Sequence, residues 1–152
     1  MGHKTAQPFQ PLNIAVLTVS DTRTRENDTS GDYLAQAAVA AGHRVVDRTI
    51  VKDDIYQLRA IVSQWIANDG VQVVLITGGT GFTERDNTPE ALTPLFDRTV
   101  DGFGELFRQL SYEDIGTSTV QSRAVAGLAN GTLIFAMPGS PNACRLAFER
   151  II

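Results

Sequence analysis

Residues 73–90 have the sequence VVLITGGTGFTERDNTPE, which predicts a buried strand followed by a ligand-binding turn. The apolar, largely β-branched start is typical of a strand inside a parallel sheet. Three glycines follow almost at once, Gly78, Gly79 and Gly81. In α/β proteins, ligands bind at the carboxyl ends of strands, where glycines let backbone N–H groups approach an anion. The stretch therefore predicts the floor of a phosphate-binding pocket, with Thr77 and Thr80 beside the glycines.

The same stretch continues with a charged pair, Arg85-Asp86, and a helix start at which we expect Thr88 as the N-cap and Pro89 as the first helical residue. A carboxylate beside a phosphate site most naturally holds Mg²⁺, so Asp86 is a candidate metal ligand. Simpler interpretations stay open. The glycines can serve a tight turn alone, and the charged pair can be an exposed ion pair. The turn also lacks the P-loop and dinucleotide-binding patterns.

Three more apolar runs predict buried strands at 13–19, 44–51 and 132–137. Helical periodicity between and after them predicts helices over the segments 32–41, 53–68, 89 onward, 102 onward, 118–128 and 141–152. The helix over 118–128 is predicted from a Ser118–Gln121 capping-box pair. The order predicts an α/β, three-layer fold with a mostly parallel sheet and helices on both faces.

The domain organisation predicted from the sequence is simple. Residues 1–12 are expected to form a flexible tail, and residues 13–152 a single domain. The predicted last helix is still running at Ile152, which suggests a longer chain.

Composition narrows the classes of function. The 152 residues are 43% hydrophobic and 20% charged, as in ordinary globular proteins. A net charge of -4 argues against broad nucleic-acid binding. The single cysteine, Cys144, excludes a disulfide within the chain and is expected to be a buried thiol rather than a nucleophile. Without an 18-residue apolar run or an apolar signal core, we expect no membrane segment and a cytoplasmic location.

Polar residues after other strands are further candidates for the site. Ser20-Asp21-Thr22-Arg23 and Asp28-Thr29-Ser30-Gly31 flank the loop after the first strand, where hydroxyls and backbone N–H groups suit a phosphate, or serve only turns and caps. Asp53 follows the second strand and either faces the pocket or only complements the helix dipole. Arg123 is either an anion ligand or a surface arginine.

A set of ordered motifs between residues 13 and 152 resembles the molybdenum cofactor biosynthesis protein B family, the close relatives of molybdopterin adenylyltransferase. The motifs are Val19-Ser20-Asp21, Asp28-Thr29-Ser30-Gly31, Ile76-Thr77-Gly78-Gly79-Thr80-Gly81, Arg85-Asp86-Asn87-Thr88-Pro89-Glu90, Gly102-Phe103-Gly104-Glu105, Ser122-Arg123 and Met137-Pro138-Gly139-Ser140. So many motifs in one order are a far more specific signal than any one of them.

The resemblance implies a molybdopterin-binding α/β domain that joins AMP from ATP to the terminal phosphate of molybdopterin, with Mg²⁺, and releases pyrophosphate. It implies that Asp86 and Asp53 are catalytic and bind Mg²⁺, although Lys52 stands where the family often has proline. The residues implied to bind the substrates are Ser20, Asp21, Ser30, Gly31, Thr77, Gly78, Gly79, Thr80, Gly81, Gly139 and Ser140.

The family also implies partners. Its members form homotrimers or homohexamers, and the adenylylated pterin passes to the molybdate-insertion enzyme, which the resemblance implies as a further partner. A second hypothesis keeps the fold but not the chemistry: a non-catalytic molybdopterin-binding or carrier protein of the same pathway. The presence of Arg85-Asp86 favours the enzyme, because a binding protein needs no Mg²⁺ carboxylate.

Overall fold

The computed structural model of the protein describes residues 8–152, so the first seven residues of the predicted tail lie outside the described range. One mixed sheet of six strands has helices on both faces, which confirms the predicted fold class. The strands are β1 Asn13–Val19, β2 Arg44–Val51, β3 Val73–Thr77, β4 Arg98–Thr99, β5 Val125–Ala129 and β6 Thr132–Met137. The helices are α1 Thr29–Ala40, α2 Ile55–Ala67, α3 Thr88–Leu92, α4 Asp101–Ile115 and α5 Pro141–Arg150. Short 3₁₀ turns lie at Thr93–Leu95 and Gly116–Gln121.

The strand order across the sheet is β2-β1-β3-β6-β5-β4. The first four are mutually parallel, and β5 runs antiparallel to both of its neighbours. The register aligns Thr18 of β1 with Thr77 of β3, and Thr77 with Met137 of β6. Because these three strands are parallel and in step, the loops that follow them leave from one edge of the sheet.

Alternate strand residues supply two apolar layers, as the period of two along a strand requires. Leu17, Ile76 and their neighbours pack against α2 and α3 on one face of the sheet. Val16, Leu75 and their neighbours pack against α1, α4 and α5 on the other. Leu17, Leu75 and Ile76 are fully buried. A rigid sheet covered on both faces therefore supports the loops at its carboxyl edge.

No helix among residues 8–152 is long and apolar enough to cross a membrane.

Side-chain caps set the starts of three helices. The Asp28 carboxylate accepts from the Gly31 backbone N–H at 3.0 Å, so α1 begins three residues before the predicted start. Asp54 caps α2 by accepting from two backbone N–H groups at 2.9 Å. Ser140 caps α5 by accepting from the Ala143 N–H at 3.1 Å, with Pro141 as its first residue, as expected. Each cap satisfies backbone donors that the helix itself leaves unpaired.

The predicted helix over 118–128 is wrong. Its first part is a 3₁₀ turn, and Val125–Ala129 is instead β5, paired with β6 across a tight turn at Asn130-Gly131. Both turn residues have positive φ, 49° and 77°, which suits a two-residue hairpin. The predicted Asn130-Gly131 turn is thus confirmed, and the hairpin it makes overrides the local capping signal of Ser118 and Gln121.

The predicted start of α3 and the predicted end of α5 also need correction. Thr88 is not an N-cap: α3 is preceded by Asn87, and Thr88 Oγ1 donates instead to the Gly78 carbonyl at 2.8 Å. The last helix ends at Arg150 and does not run on to Ile152.

Candidate functional site

A cavity of about 470 Å³ opens at the carboxyl ends of β1, β3 and β6. Four chain segments line it. The lining residues are Thr18, Val19, Ser20, Arg23, Asp28, Ser30, Thr77, Gly78, Gly79, Thr80, Gly81, Asp86, Ile115, Ser118, Gln121, Ser122, Pro138 and Gly139. The predicted pocket is therefore present at the predicted edge of the sheet.

The glycine turn forms the centre of the cavity wall, and its backbone requires glycine at two positions. Gly78 and Gly79 have φ values of 106° and 72°, in the left-handed region that favours glycine. A Cβ on Gly78 would lie 2.2 Å from the Val19 carbonyl oxygen, and one on Gly79 2.2 Å from Thr88 Oγ1. The turn thus needs its glycines for local geometry and also brings bare backbone to the cavity.

Hydroxyl groups join the walls to one another. Ser30 Oγ, at the start of α1, donates to the Gly139 carbonyl at 2.7 Å. Thr77 Oγ1, at the end of β3, donates to the Pro138 carbonyl at 2.9 Å. These bonds tie the segments after β1 and β3 to the segment after β6, so the cavity is a preformed feature of the sheet edge.

Cys144 lies directly behind this wall. Its side chain is fully buried, and its Sγ lies 3.1 Å from Thr77 Oγ1. Burial raises the pKa of the thiol to about 11, so the thiolate is scarce at neutral pH. The prediction of a buried thiol rather than a nucleophile agrees with this position.

Asp86 places a carboxylate on the cavity wall. Its Oδ2 accepts from the Thr83 backbone N–H at 2.9 Å and from Thr83 Oγ1 at 2.7 Å. Burial alone would raise the pKa of Asp86, but hydrogen bonds from the Thr83 hydroxyl and the backbone N–H groups of Thr83 and Gly81 outweigh burial and lower it. Asp86 is therefore ionised at neutral pH, and Oδ2 is the oxygen that the loop holds.

Asp53 lies behind the glycine turn and is not part of the cavity wall. Its side chain is only 4% exposed, and its Oδ1 accepts from the Asn87 N–H at 3.0 Å. Oδ2 faces Gly79, where an added Cβ would lie 2.7 Å from it. Burial raises the pKa of Asp53, and the negative charges of Asp86 and Asp21 add to that effect against the hydrogen bonds from Asn87. The carboxylate therefore lies in a site that favours an added positive charge.

Asp21 is held by an exposed ion pair. Arg85 donates to both of its carboxylate oxygens at 2.9 Å, and Asp21 Oδ1 also accepts from the Asp53 N–H at 3.1 Å. The Arg85 hydrogen bond lowers the pKa of Asp21 to about 2. Arg85 is thus in an exposed ion pair, but its partner is Asp21 on the loop after β1 and not its neighbour Asp86.

The predicted site residues fall into two groups. Nine line the cavity: Ser20, Ser30, Thr77, Gly78, Gly79, Thr80, Gly81, Asp86 and Gly139. Four others support it from outside the wall. They are Asp21 and Asp53, described above, Gly31, which packs against the Asp28 carboxylate, and Ser140, which caps α5.

Two wall residues, Arg23 and Ser122, lie in segments that the sequence singled out, but neither was predicted as a site residue. Arg23 contributes the one lysine or arginine side chain among the residues that line the cavity. Ser122 lies on the opposite wall, and its Oγ is buried without a hydrogen-bond partner among residues 8–152. A hydroxyl buried without a partner costs stability, and a group in the cavity could reach this one only after a local movement. The available signal for Ser122 was its place in the Ser122-Arg123 motif.

The two predicted metal ligands fit a magnesium ion that takes its other ligands from water and from the substrate phosphates. No group of three or more histidine, cysteine, aspartate or glutamate side chains within residues 8–152 is arranged to hold a metal. Mg²⁺ commonly takes only one or two carboxylates and fills its shell with water and substrate phosphates. Asp86 on the wall and Asp53 behind it offer such carboxylate oxygens, so the donor chemistry suits Mg²⁺ bound together with a phosphate ligand.

The fold and the cavity define an α/β protein with a cavity at the carboxyl edge of a mostly parallel sheet. Residues 15–152 match the sequence profile of the family described as "Probable molybdopterin binding domain". The chain is 68% identical to molybdenum cofactor biosynthesis protein B of Escherichia coli K12 over 144 residues, 95% of this chain and 85% of that protein.

Solved structures of the same family have the same fold as this chain. A crystal structure of molybdenum cofactor biosynthesis protein B superposes with a TM-score of 0.93 at 45% identity, covering 96% of this chain and 91% of the other. The tungsten cofactor synthesizing protein MoaB from Pyrococcus furiosus gives a TM-score of 0.84 at 37% identity, covering 95% and 92%. The chain therefore belongs to the molybdenum cofactor biosynthesis protein B family, and its fold is the molybdopterin-binding domain of that family.

Proposed function

We propose that the protein binds molybdopterin and adenylylates its terminal phosphate with Mg-ATP, releasing pyrophosphate. The observation that carries the proposal is the ionised Asp86 carboxylate on a cavity wall, beside a glycine turn that presents bare backbone. A carboxylate alone would repel a phosphate. A carboxylate that holds a cation can bind a phosphate through that cation. This favours metal-assisted phosphate chemistry over simple anion binding.

In the proposed reaction an oxygen of the molybdopterin phosphate attacks the α-phosphorus of ATP. A new P–O–P bond forms, and the bond from the α-phosphorus to the bridging oxygen of the β-phosphate breaks. The electron pair leaves with pyrophosphate. The attacking oxygen is already anionic, so the chain needs no protein nucleophile, and its task is to align and neutralise phosphates. This agrees with a wall that holds no reactive thiolate.

The residues of the wall have distinct parts in this proposal. The backbone N–H of Gly79 holds a phosphate oxygen, since those of Gly78 and Gly81 already donate to the Met137 carbonyl and to Asp86, and Arg23 offsets phosphate charge. Asp86 and Asp53 would hold Mg²⁺, which when bound offsets phosphate charge.

A second candidate is a molybdopterin-binding or carrier protein without efficient catalysis. The observation in its favour is that Asp53 is almost wholly buried behind the glycine turn, with one oxygen engaged by Asn87 N–H. A ligand of a reacting metal ion needs access to the cavity. If the turn stays as it is when substrates bind, Asp53 serves only to hold Asn87 and the start of α3.

The two candidates are separated by incubating the protein with molybdopterin, Mg²⁺ and ATP and by following adenylylated pterin and pyrophosphate chromatographically. The enzyme forms both products in equal amounts, and formation stops when Mg²⁺ is chelated. A carrier retains molybdopterin through gel filtration and forms neither product, which would refute the proposed reaction.

Three further expectations belong to the same proposal. The protein assembles as a homotrimer or homohexamer, acts in the cytoplasm, and passes its product to the molybdate-insertion enzyme. The assembly and the partner come from the family resemblance, and the location comes from the sequence's lack of an apolar span or signal core.

A further inference from the structure

We infer that Arg123 is a positioning residue that sets the place of the Asp86 carboxylate by holding both ends of the loop formed by residues 81–86. The inference deepens the proposed function and rests on it for the task given to Asp86. Arg123 itself is neither an anion ligand nor a free surface arginine.

The contacts of Arg123 reach both ends of the loop. Its Nε donates to the Gly81 carbonyl at 2.9 Å, and its Nη2 donates to the Asp86 carbonyl at 2.8 Å. Its backbone N–H donates to the Thr80 carbonyl at 3.1 Å. The Arg123 side chain therefore fixes the backbone at Gly81 and at Asp86, the two ends of the loop.

Two other contacts hold the guanidinium in place. Its Nη1 forms an ion pair with the Glu90 carboxylate on α3, and its plane lies over the Phe82 ring, 5.6 Å from the centroid. The side chain of Arg123 is only 26% exposed. Three of its five side-chain N–H groups donate to two carbonyls and a carboxylate, and Arg123 does not line the cavity, so it faces the loop and α3 and not a substrate phosphate. The planar, five-donor guanidinium suits several acceptors at once, which a lysine cannot match.

The loop needs this support because it holds itself weakly. Residues 82–85 are all exposed, and Phe82 is 63% exposed. Within the loop, the hydrogen bonds run mainly between Thr83 and Asp86. Those bonds fix the carboxylate relative to the loop, but not the loop relative to the cavity. The exposed Arg85–Asp21 pair ties the middle of the loop to the segment after β1. Arg123 holds both of its ends, so loss of Arg123 would shift Asp86 with its local bonds intact.

Arg145 offers a matched control. It also has an acidic partner, Glu149 at 3.7 Å, and it also lies over an aromatic ring, Tyr33 at 5.0 Å. It makes no hydrogen bond to a backbone carbonyl among residues 8–152 and does not line the cavity. Arg145→Gln thus removes the same kinds of side-chain contact without touching the loop.

The test compares Arg123→Lys, Arg123→Gln and Arg145→Gln with the wild type by steady-state kinetics and by hydrogen exchange of the Thr83 and Asp86 amides. For both Arg123 variants we expect kcat to fall by about 100-fold, because misplacement by about 1 Å costs that much. We expect KM for molybdopterin to change less than about threefold, since a group acting in the transition state alone leaves KM unchanged. Amide exchange should be faster in the loop but unchanged in β1 and β3.

Equal kcat in Arg123→Lys and wild type would overturn the inference, and so would unchanged loop exchange in both Arg123 variants. A fall of kcat in Arg145→Gln as large as in Arg123→Gln would overturn it too. If the wild type forms no adenylylated pterin, the proposed function fails, and loop exchange alone then decides whether Arg123 holds the loop. The lysine variant keeps the charge and covers the case in which the glutamine variant does not fold.

Discussion

Asp53 is a buried carboxylate whose burial works against stability. Burial raises its pKa, so the ionised form is disfavoured in the folded state. The stability that the protonated form gives is present below about pH 4 and is lost as the pH rises through the folded pKa. A neutral side chain of the same shape avoids the cost of burying the charge at any pH above the folded pKa. A destabilising carboxylate is the kind of group that proteins retain for function.

We predict that Asp53→Asn unfolds at pH 7 at the same or a higher temperature than the wild type, yet loses adenylyl transfer by about 100-fold or more, of the order seen for loss of one electrostatic contact. The amide oxygen can still accept from the Asn87 N–H, which keeps α3 in place. Thermal denaturation and product formation measure the two effects. Full activity in a stabilised variant would show that Asp53 holds no catalytic ion.

Cys144 gives a prediction on pH. Its pKa is raised from 9.0 to about 11 by burial, so the folded state keeps its proton where the unfolded chain loses it. Stability is therefore unaffected below about pH 8.5 and falls as pH rises from 9 to 11, by about 2–3 kcal/mol in total. We expect the denaturation free energy of the wild type to fall more steeply over this range than that of Cys144→Ala. Parallel slopes would contradict a buried thiol.

At this scale the sequence predicted the cavity residues that follow strand ends, including Asp86 and the glycines. It did not predict that Asp53 would be buried, because aspartate is rarely buried and neighbouring apolar residues gave no warning. It also could not show that Arg85 pairs with Asp21, 64 residues away, since that contact depends on two loops meeting.

The glycine turn is the element on which the cavity depends, and it allows a matched test. Gly79 and Gly131 both have positive φ, 72° and 77°. A Cβ on Gly79 would lie 2.2 Å from Thr88 Oγ1, whereas one on Gly131 meets nothing within 4 Å. Gly131→Ala is therefore destabilised only by the left-handed backbone conformation and not by a clash.

We predict that Gly131→Ala loses about 1–2 kcal/mol of stability, the cost of a left-handed residue. Gly79→Ala should lose roughly 2–5 kcal/mol, since the clash adds a packing cost, and should bind molybdopterin more weakly. Chemical denaturation and fluorescence titration give the two readings. Equal losses of stability would contradict the close packing of the turn against α3.

The elements themselves were largely predictable where one apolar pattern decided them, as in β1, β3 and β6. The stretch from Ser118 to Leu128 was not. Its capping pair and its length favoured a helix, while the pairing of Val125–Ala129 with β6 decided the outcome. Strand pairing is a contact between segments, and no local pattern contains it. The two-residue β4 was missed for the same reason.

At the scale of the whole molecule, parallel register brings the ends of β1, β3 and β6 to one edge and so assembles a single cavity from segments more than 100 residues apart. Apolar side chains also lie on the surface, among them Val39 of α1, Val46 of β2 and Val120 of the 3₁₀ turn. From the family resemblance we predict assembly in multiples of three. Native mass spectrometry at micromolar concentration should give trimers or hexamers, and a monomer or dimer as the main species would contradict this.

The central claim is that Asp86 separates catalysis from binding. The most direct test is a single-turnover reaction of molybdopterin-loaded protein with Mg-ATP, comparing wild type with Asp86→Asn, whose amide oxygen can still accept from the Thr83 N–H. We predict that both proteins hold molybdopterin with affinities within about threefold, and that adenylylated pterin forms at least about 100-fold more slowly in the variant. Equal rates in the two proteins would contradict the account.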